Sequence, residues 1–158
     1  MKRPLLDLQI TVQLPLKCGN IFYWKILDLA LLIQYYSENC ELYRCFLQHA
    51  YANYGVPFNA VIHEDEVTPG NIVVMRRKVH GWYCSFKQFG LHIRNENAWL
   101  HFASLQSDFV SKVEGGFSCV TRVLYQAQVK QTDCFLRAGV AVNIGGEHRL
   151  MLTCAKTY

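Results

Sequence analysis

The chain has 158 residues, of which 51% are hydrophobic and 18% are charged, and its formal net charge is +4. Average soluble domains carry about 25% charged residues, so we expect part of the apolar surface to meet another chain. This composition excludes intrinsic disorder, and the length suits a single domain over residues 1–158.

Seven cysteines are scattered along the chain without a C-x-x-C pair, which disfavours zinc ribbons and thioredoxin-type redox motifs. We therefore expect free thiols in a reducing cytosol, no metal and no cofactor. Asp7, Gln9 and Gln13 interrupt the apolar run of a signal peptide, and the apolar stretch from Ile21 to Ile33 is too short for a membrane span. Residues 76–158 hold eleven basic and five acidic residues, but they lack an aromatic RNA-binding pattern, so we expect no nucleic-acid partner.

The first half of the chain has the patterns of helices. Between Asn20 and Tyr36, apolar residues recur at spacings of three and four and cover nearly all sides, which predicts a long buried helix. A second helix begins at Ser37 or Asn39, either of which can cap it, and ends at Gly55 in a left-handed cap. A polar connection over residues 63–66 and a turn over residues 68–71 follow.

The second half has the patterns of short strands. The predicted strands are Ile72–Met75, Trp82–Phe86, Phe89–Ile93, Ala98–Phe102, Cys119–Val129, Gly139–Ile144 and Leu150–Cys154. Turns are predicted at residues 94–97 and 145–148, and the second of them closes a hairpin. Two N-terminal helices packed on an antiparallel sheet make an α+β domain.

Three motifs follow one another in the middle of the chain. The turn Pro69-Gly70 opens a strand, the run from Gln88 to His92 includes Gly90-Leu91, and an apolar pair precedes His101. Their order resembles that of NlpC-like cysteine peptidases, in the form found in bacteriophage tail-tip proteins. The resemblance covers about residues 15–105 and implies a papain-like, NlpC-type fold, with residues 117–158 as a strand-rich extension.

The resemblance also implies a set of site residues. In that family a cysteine at a helix start attacks an amide carbonyl, a histidine activates the thiol, and a third residue orients the histidine. Cys18 is the implied nucleophile, with Cys40 at the start of the second helix as the alternative, and His101 is the orienting residue. Gln88 stands where the family has its catalytic histidine and cannot accept a proton at neutral pH. His92 is therefore the candidate base, under a shifted register.

The function implied is that of a structural subunit of a phage tail tip or baseplate, synthesised in the bacterial cytoplasm and located in the virion. Gln88 implies that its peptidase activity is weak or absent. Its partners would be other tail or baseplate subunits. One alternative is an active cysteine peptidase that cleaves peptidoglycan stem peptides during infection. Another is a lecithin-retinol-acyltransferase-like acyl-transfer protein, in which residues 118–124 form the helix that carries the nucleophile, Cys119.

Overall fold

The computed structural model describes residues 5–55, 57–68, 78–131, 139–151 and 153–154. In the first half, a 3-10 turn (Leu5–Leu8) leads into β1 (Gln9–Pro15), β2 (Ile21–Leu27), α1 (Leu29–Asn39), α2 (Glu41–Tyr54) and β3 (Phe58–Val67). The second half contains β4 (Val79–Phe86), 3-10 turns at Lys87–Arg94 and Glu96–Ala98, β5 (Leu100–Gln106), α3 (Ser107–Val110), α4 (Gly116–Gln131), β6 (Val140–Ile144), β7 (Glu147–Met151) and β8 (Thr153–Cys154). The predicted α+β class is confirmed at this level.

The described strands form small sheets. β1 and β2 make one hairpin, β6 and β7 make another, and a four-stranded sheet has the order β5-β4-β3-β8. Neighbouring strands are antiparallel except β3 and β8, which are parallel. The hairpin β1-β2 packs on the large sheet through Trp24 and Trp82, whose ring centroids lie 5.5 Å apart. Buried residues of all three sheets and of the helices form one core.

The predicted long helix over residues 20–36 is wrong. Ile21–Leu27 is strand β2, in which alternate side chains are buried, and it pairs in full register with β1. The helix begins only at Leu29, because the Asp28 side chain accepts a hydrogen bond from the Leu31 N–H and so caps it. A segment that is apolar on nearly all sides shows a helical and an alternating pattern together, and pairing with β1 decides between them.

Two predictions from local turn chemistry are confirmed. The second helix is α2, and it ends at Gly55 as predicted, although the φ of +64° and ψ of −154° of this glycine lie outside the left-handed helical region expected for the cap. Its N-cap is Cys40 rather than Ser37 or Asn39. The closing hairpin is β6-β7, whose turn is Gly145-Gly146, with both glycines at positive φ.

Several other predicted elements differ from the structure. Residues 63–66 belong to β3 and do not form a polar connection, because they pair with β4. Residues 89–93 lie in a 3-10 turn, in which Gly90 adopts a φ of +58°. Residues 119–129 are helical within α4, because Val120 and Leu124 fall on one buried helix face. The predicted turn and strand over residues 69–75 lie outside the described residues.

Candidate functional site

The implied nucleophile, Cys18, lies in the exposed turn between β1 and β2. Gly19 follows it at a φ of +84°, and the backbone N–H of Lys17 donates to the carbonyl of Lys112. The prediction that Cys18 begins a helix is therefore wrong, since α1 starts eleven residues later, at Leu29. Without a helix N-terminus behind it, the thiol lacks the dipole that the family chemistry requires.

The alternative nucleophile, Cys40, lies at the start of α2 as predicted. It separates α1 from α2, and its backbone N–H donates to the carbonyl of Tyr36. Its half-buried side chain packs against the core. Such packing is typical of a cysteine that acts as a small apolar side chain.

The two histidines that the resemblance implies have different neighbours. His92 is exposed, and its ring centroid lies 4.8 Å from that of His49 and 5.3 Å from that of Phe46, both on α2. His101 lies on β5, where its ring packs 4.9 Å from that of Tyr83 on β4. His92 is therefore held by helix α2, whereas His101 is held by the sheet.

Gln88, at the family's histidine position, has a structural role. Its carboxamide oxygen accepts the backbone N–H of Asn59 at 2.8 Å, and its nitrogen donates to the carbonyl of Pro57 at 3.3 Å. These bonds fix the chain where it enters β3. The Gln88 side chain therefore forms hydrogen bonds with two backbone groups, which need a partner when they are withdrawn from water.

The helix required by the acyl-transfer alternative is present as α4. Cys119 lies in its first turn, is buried, and accepts a hydrogen bond from the Arg122 guanidinium at 3.6 Å. It lines an open cleft of about 440 Å³ together with Pro15, Glu114, Gly115, Ser118 and Arg122. Among the described residues no histidine lines this cleft, and Glu114 is its one carboxylate.

One polar cluster was not found by sequence reasoning. Glu64 and Glu66 share one face of β3, and His80 stands opposite Glu66 on β4. The His80 Nδ1 lies 2.5 Å from a Glu64 carboxylate oxygen, and its Nε2 lies 3.8 Å from Glu66. Lys78 contacts Glu66 at 3.1 Å. The imidazole is therefore held between two carboxylates, an arrangement that can orient its tautomer.

Ser107 completes this cluster at the start of α3. The Ser107 hydroxyl, and after it Lys78, lowers the pKa of the Glu66 carboxyl. The same hydroxyl oxygen is buried and has no hydrogen-bond partner among the described residues, so it acts on Glu66 as a nearby dipole. The sequence pattern that could have predicted this cluster is the spacing of Glu64 and Glu66 by two residues, since such residues share a face in a strand.

The comparisons with known proteins give no assignment: no protein-family model, curated protein or solved structure matches this chain. Within the described part of the chain, no three His, Cys, Asp or Glu side chains are arranged to hold a metal ion. No helix found there is both long and apolar enough to cross a membrane.

Proposed function

We propose that this chain is a non-catalytic subunit that binds other proteins in an assembly, with a bacteriophage tail tip or baseplate as its setting. One observation carries the proposal: the implied catalytic residues contact different parts of the fold. Cys18 lies beside the segment after α3, His92 beside α2, and His101 against β4. A thiol and an imidazole must be within hydrogen-bond reach to form a catalytic pair. The tail-tip setting and an NlpC-type origin are supported by the order of the sequence motifs.

Exposed apolar side chains support the binding role. Ile21 and Tyr23 point outward from β2 and are 52% and 61% exposed. On another part of the surface, Leu91 is 79% exposed, and the Tyr54 hydroxyl lies close to Gly90. Exposed apolar groups that stand together mark surfaces that meet other molecules.

A peptidoglycan assay tests the absence of catalysis. Purified peptidoglycan is incubated with the wild-type chain and with Cys18→Ser, and released stem-peptide fragments are measured. Cys45→Ser is the matched control, since Cys45 is also an exposed thiol. We expect no release by any of the three. Release by the wild type and by Cys45→Ser that is lost in Cys18→Ser would overturn the proposal.

The tail-tip setting needs a separate experiment. Mass spectrometry of purified particles of the phage that encodes the chain should detect the chain at a fixed copy number. Particles that contain all other tail proteins but lack this chain would contradict the setting and leave the question of catalysis to the peptidoglycan assay.

A second candidate function is acyl transfer through Cys119, which is favoured by the position of this thiol in the first turn of α4. An activated thiolate would attack the ester carbonyl of p-nitrophenyl acetate, break its C–O bond with release of p-nitrophenolate, and keep the acetyl group as a thioester. This adduct is visible in the mass of the intact chain. We expect Cys119 to be modified no faster than the exposed Cys45. Rapid acetylation that is lost in Cys119→Ser would favour acyl transfer over the assembly role.

A further inference from the structure

The sheet formed by β3, β4 and β5 has one face in the core and one face that carries exposed rings. Alternate side chains of a strand point to opposite faces, and Trp82 and Phe86 on β4 are buried in the core. On the opposite side, His63 on β3 pairs with Tyr83 on β4, and Tyr83 pairs with His101 on β5. Both histidines are exposed, and the tyrosine is half-buried. We name this side of the sheet the aromatic face.

The rings of the aromatic face are held in place by the chain itself. Trp99 directly precedes β5, and its indole N–H donates to the carbonyl of Ile93 at 2.7 Å. Its ring centroid lies 5.9 Å from that of His63. The Tyr83 ring lies against Gly81, since a Cβ atom added to this glycine would come 2.8 Å from the phenol oxygen. Rings that are already fixed lose little freedom when a ligand binds, which favours affinity.

Polar side chains stand on both sides of the Tyr83 ring. Asp65 on β3 and Ser104 on β5 are the two pairing partners of Gly81, against which the ring lies. Both side chains are exposed. The carboxylate accepts hydrogen bonds, and the hydroxyl donates and accepts them. The aromatic face therefore combines rings that can pack on a ligand with groups that bind hydroxyls.

A sugar chain matches this combination of groups. One side of a pyranose ring exposes C–H groups that can pack on an aromatic ring, and its rim carries hydroxyls. The exposed rings here are imidazoles, which form hydrogen bonds as well as pack. From β3 to β5 the row spans about 10 Å, or two strand spacings, which is the length of about two linked sugar rings. The Asp65 carboxylate would repel phosphate groups, which disfavours nucleic acid.

We propose that the aromatic face binds a neutral, extended oligosaccharide. Its sugar rings pack on the row of His63, Tyr83 and His101, and its hydroxyls form hydrogen bonds with the Asp65 carboxylate and the Ser104 hydroxyl. The site binds sugar whichever proteins the chain meets, so it goes beyond the proposed function and does not depend on it.

Titration calorimetry with the intact chain tests the proposal. The probes are cellotetraose and chitotetraose, whose linked rings form a flat and extended chain. Maltotetraose, a curved chain of the same glucose units as cellotetraose, is the control for shape, and a short oligodeoxythymidine tests for nucleic acid. We expect at least one flat sugar to bind about fivefold or more tightly than maltotetraose, and no binding of the oligodeoxythymidine. Failure of both flat sugars to bind, or binding of the oligodeoxythymidine alone, would overturn the proposal.

Histidine variants test the row of rings directly. His63→Ala and His101→Ala should each weaken binding of the flat sugar by about fivefold, since each removes a ring that packs on it. His148→Ala is the matched control, because His148 is an exposed histidine on β7, and it should change binding by less than about twofold. All three side chains are exposed, and circular dichroism checks that each variant is folded. Equal effects of the three variants would contradict the proposed site.

Nuclear magnetic resonance of the isotope-labelled chain locates the bound sugar. The indole N–H signal of Trp99 should shift on addition of the flat sugar, because this ring contacts His63 on the aromatic face. The indole signals of Trp24 and Trp82 should stay in place, since both rings are buried in the core. Binding that leaves the Trp99 signal unchanged would place the sugar elsewhere and overturn the assignment to this face.

Discussion

The buried side chain of Gln128 joins three elements, and replacing it should destabilise the fold. It reaches from α4 to the junction of β2 and α1, where its oxygen accepts the Leu29 N–H at 3.0 Å and its nitrogen donates to the Leu27 carbonyl at 2.8 Å. Gln128 is 5% exposed. Substitution by leucine keeps much of the volume and leaves both backbone groups without a partner in a buried place.

The expected loss of stability follows from these two bonds. A buried group left without its partner costs about 1–3 kcal/mol, so the loss of both partners in Gln128→Leu should lower the free energy of unfolding by about 2–6 kcal/mol. In a chain of this size, 1 kcal/mol corresponds to about 2–4 °C in Tm. We expect Tm to fall by about 5 °C or more.

Urea unfolding followed by circular dichroism measures this change. Gln126→Leu is the matched control, because Gln126 is exposed on the same helix, and it should change the free energy of unfolding by less than about 0.5 kcal/mol. A loss below about 1 kcal/mol for Gln128→Leu, or equal losses for both variants, would refute the proposed junction. A helix running unbroken from residue 20 to residue 36 would leave Gln128 without these partners.

Three further predictions concern side chains inside the fold. Gln88→His should create no peptidase activity, and it should lower Tm because the hydrogen bonds to the backbone of residues 57 and 59 are disturbed. Stem-peptide release and thermal melting measure the two effects. New peptidase activity would contradict the prediction. Burial raises the pKa of Tyr43. The contribution of the neutral phenol to the free energy of unfolding is therefore fully present below the normal tyrosine pKa near 10 and is lost as pH rises toward the raised pKa of the folded chain. The Tyr43 hydroxyl has no hydrogen-bond partner among the described residues, so Tyr43→Phe should keep stability at pH 7 and reduce the loss above pH 10 in unfolding titrations. A large loss at pH 7 would contradict this. Burial raises the pKa of the Cys84 thiol to about 12, so iodoacetamide at pH 8 should modify the exposed Cys18 and Cys45 well before it, and equal rates would contradict its burial.

Local signals in the sequence were sufficient for some elements. Helix α2 was predicted because an apolar face at helical spacing ends at Gly55, whose positive φ needs no tertiary contact to explain it. The hairpin β6-β7 was predicted for a similar reason, since Gly145-Gly146 supplies the two positive φ angles that a tight turn requires. The α+β class followed from counting such patterns.

Other elements depended on partners far along the chain. The run from Ile21 to Leu27 is apolar enough for a helix or a strand, and its seven paired residues with β1 decide for the strand. The residues of α4 include valines and a threonine, which favour strands, yet burial of one helical face outweighs that preference. Because Ile21–Leu27 is a strand, Cys18 lies in an exposed turn and not at the predicted helix start.

The Gly145-Gly146 turn and the end of α2 at Gly55 could be predicted from the sequence, because such features depend on neighbours within a few positions. Which side chains meet depends on the tertiary structure. Glu64, Glu66 and His80 converge because strand pairing brings residues sixteen and fourteen positions apart to adjacent places. Register and packing are set by long-range contacts, and a single sequence records these only weakly.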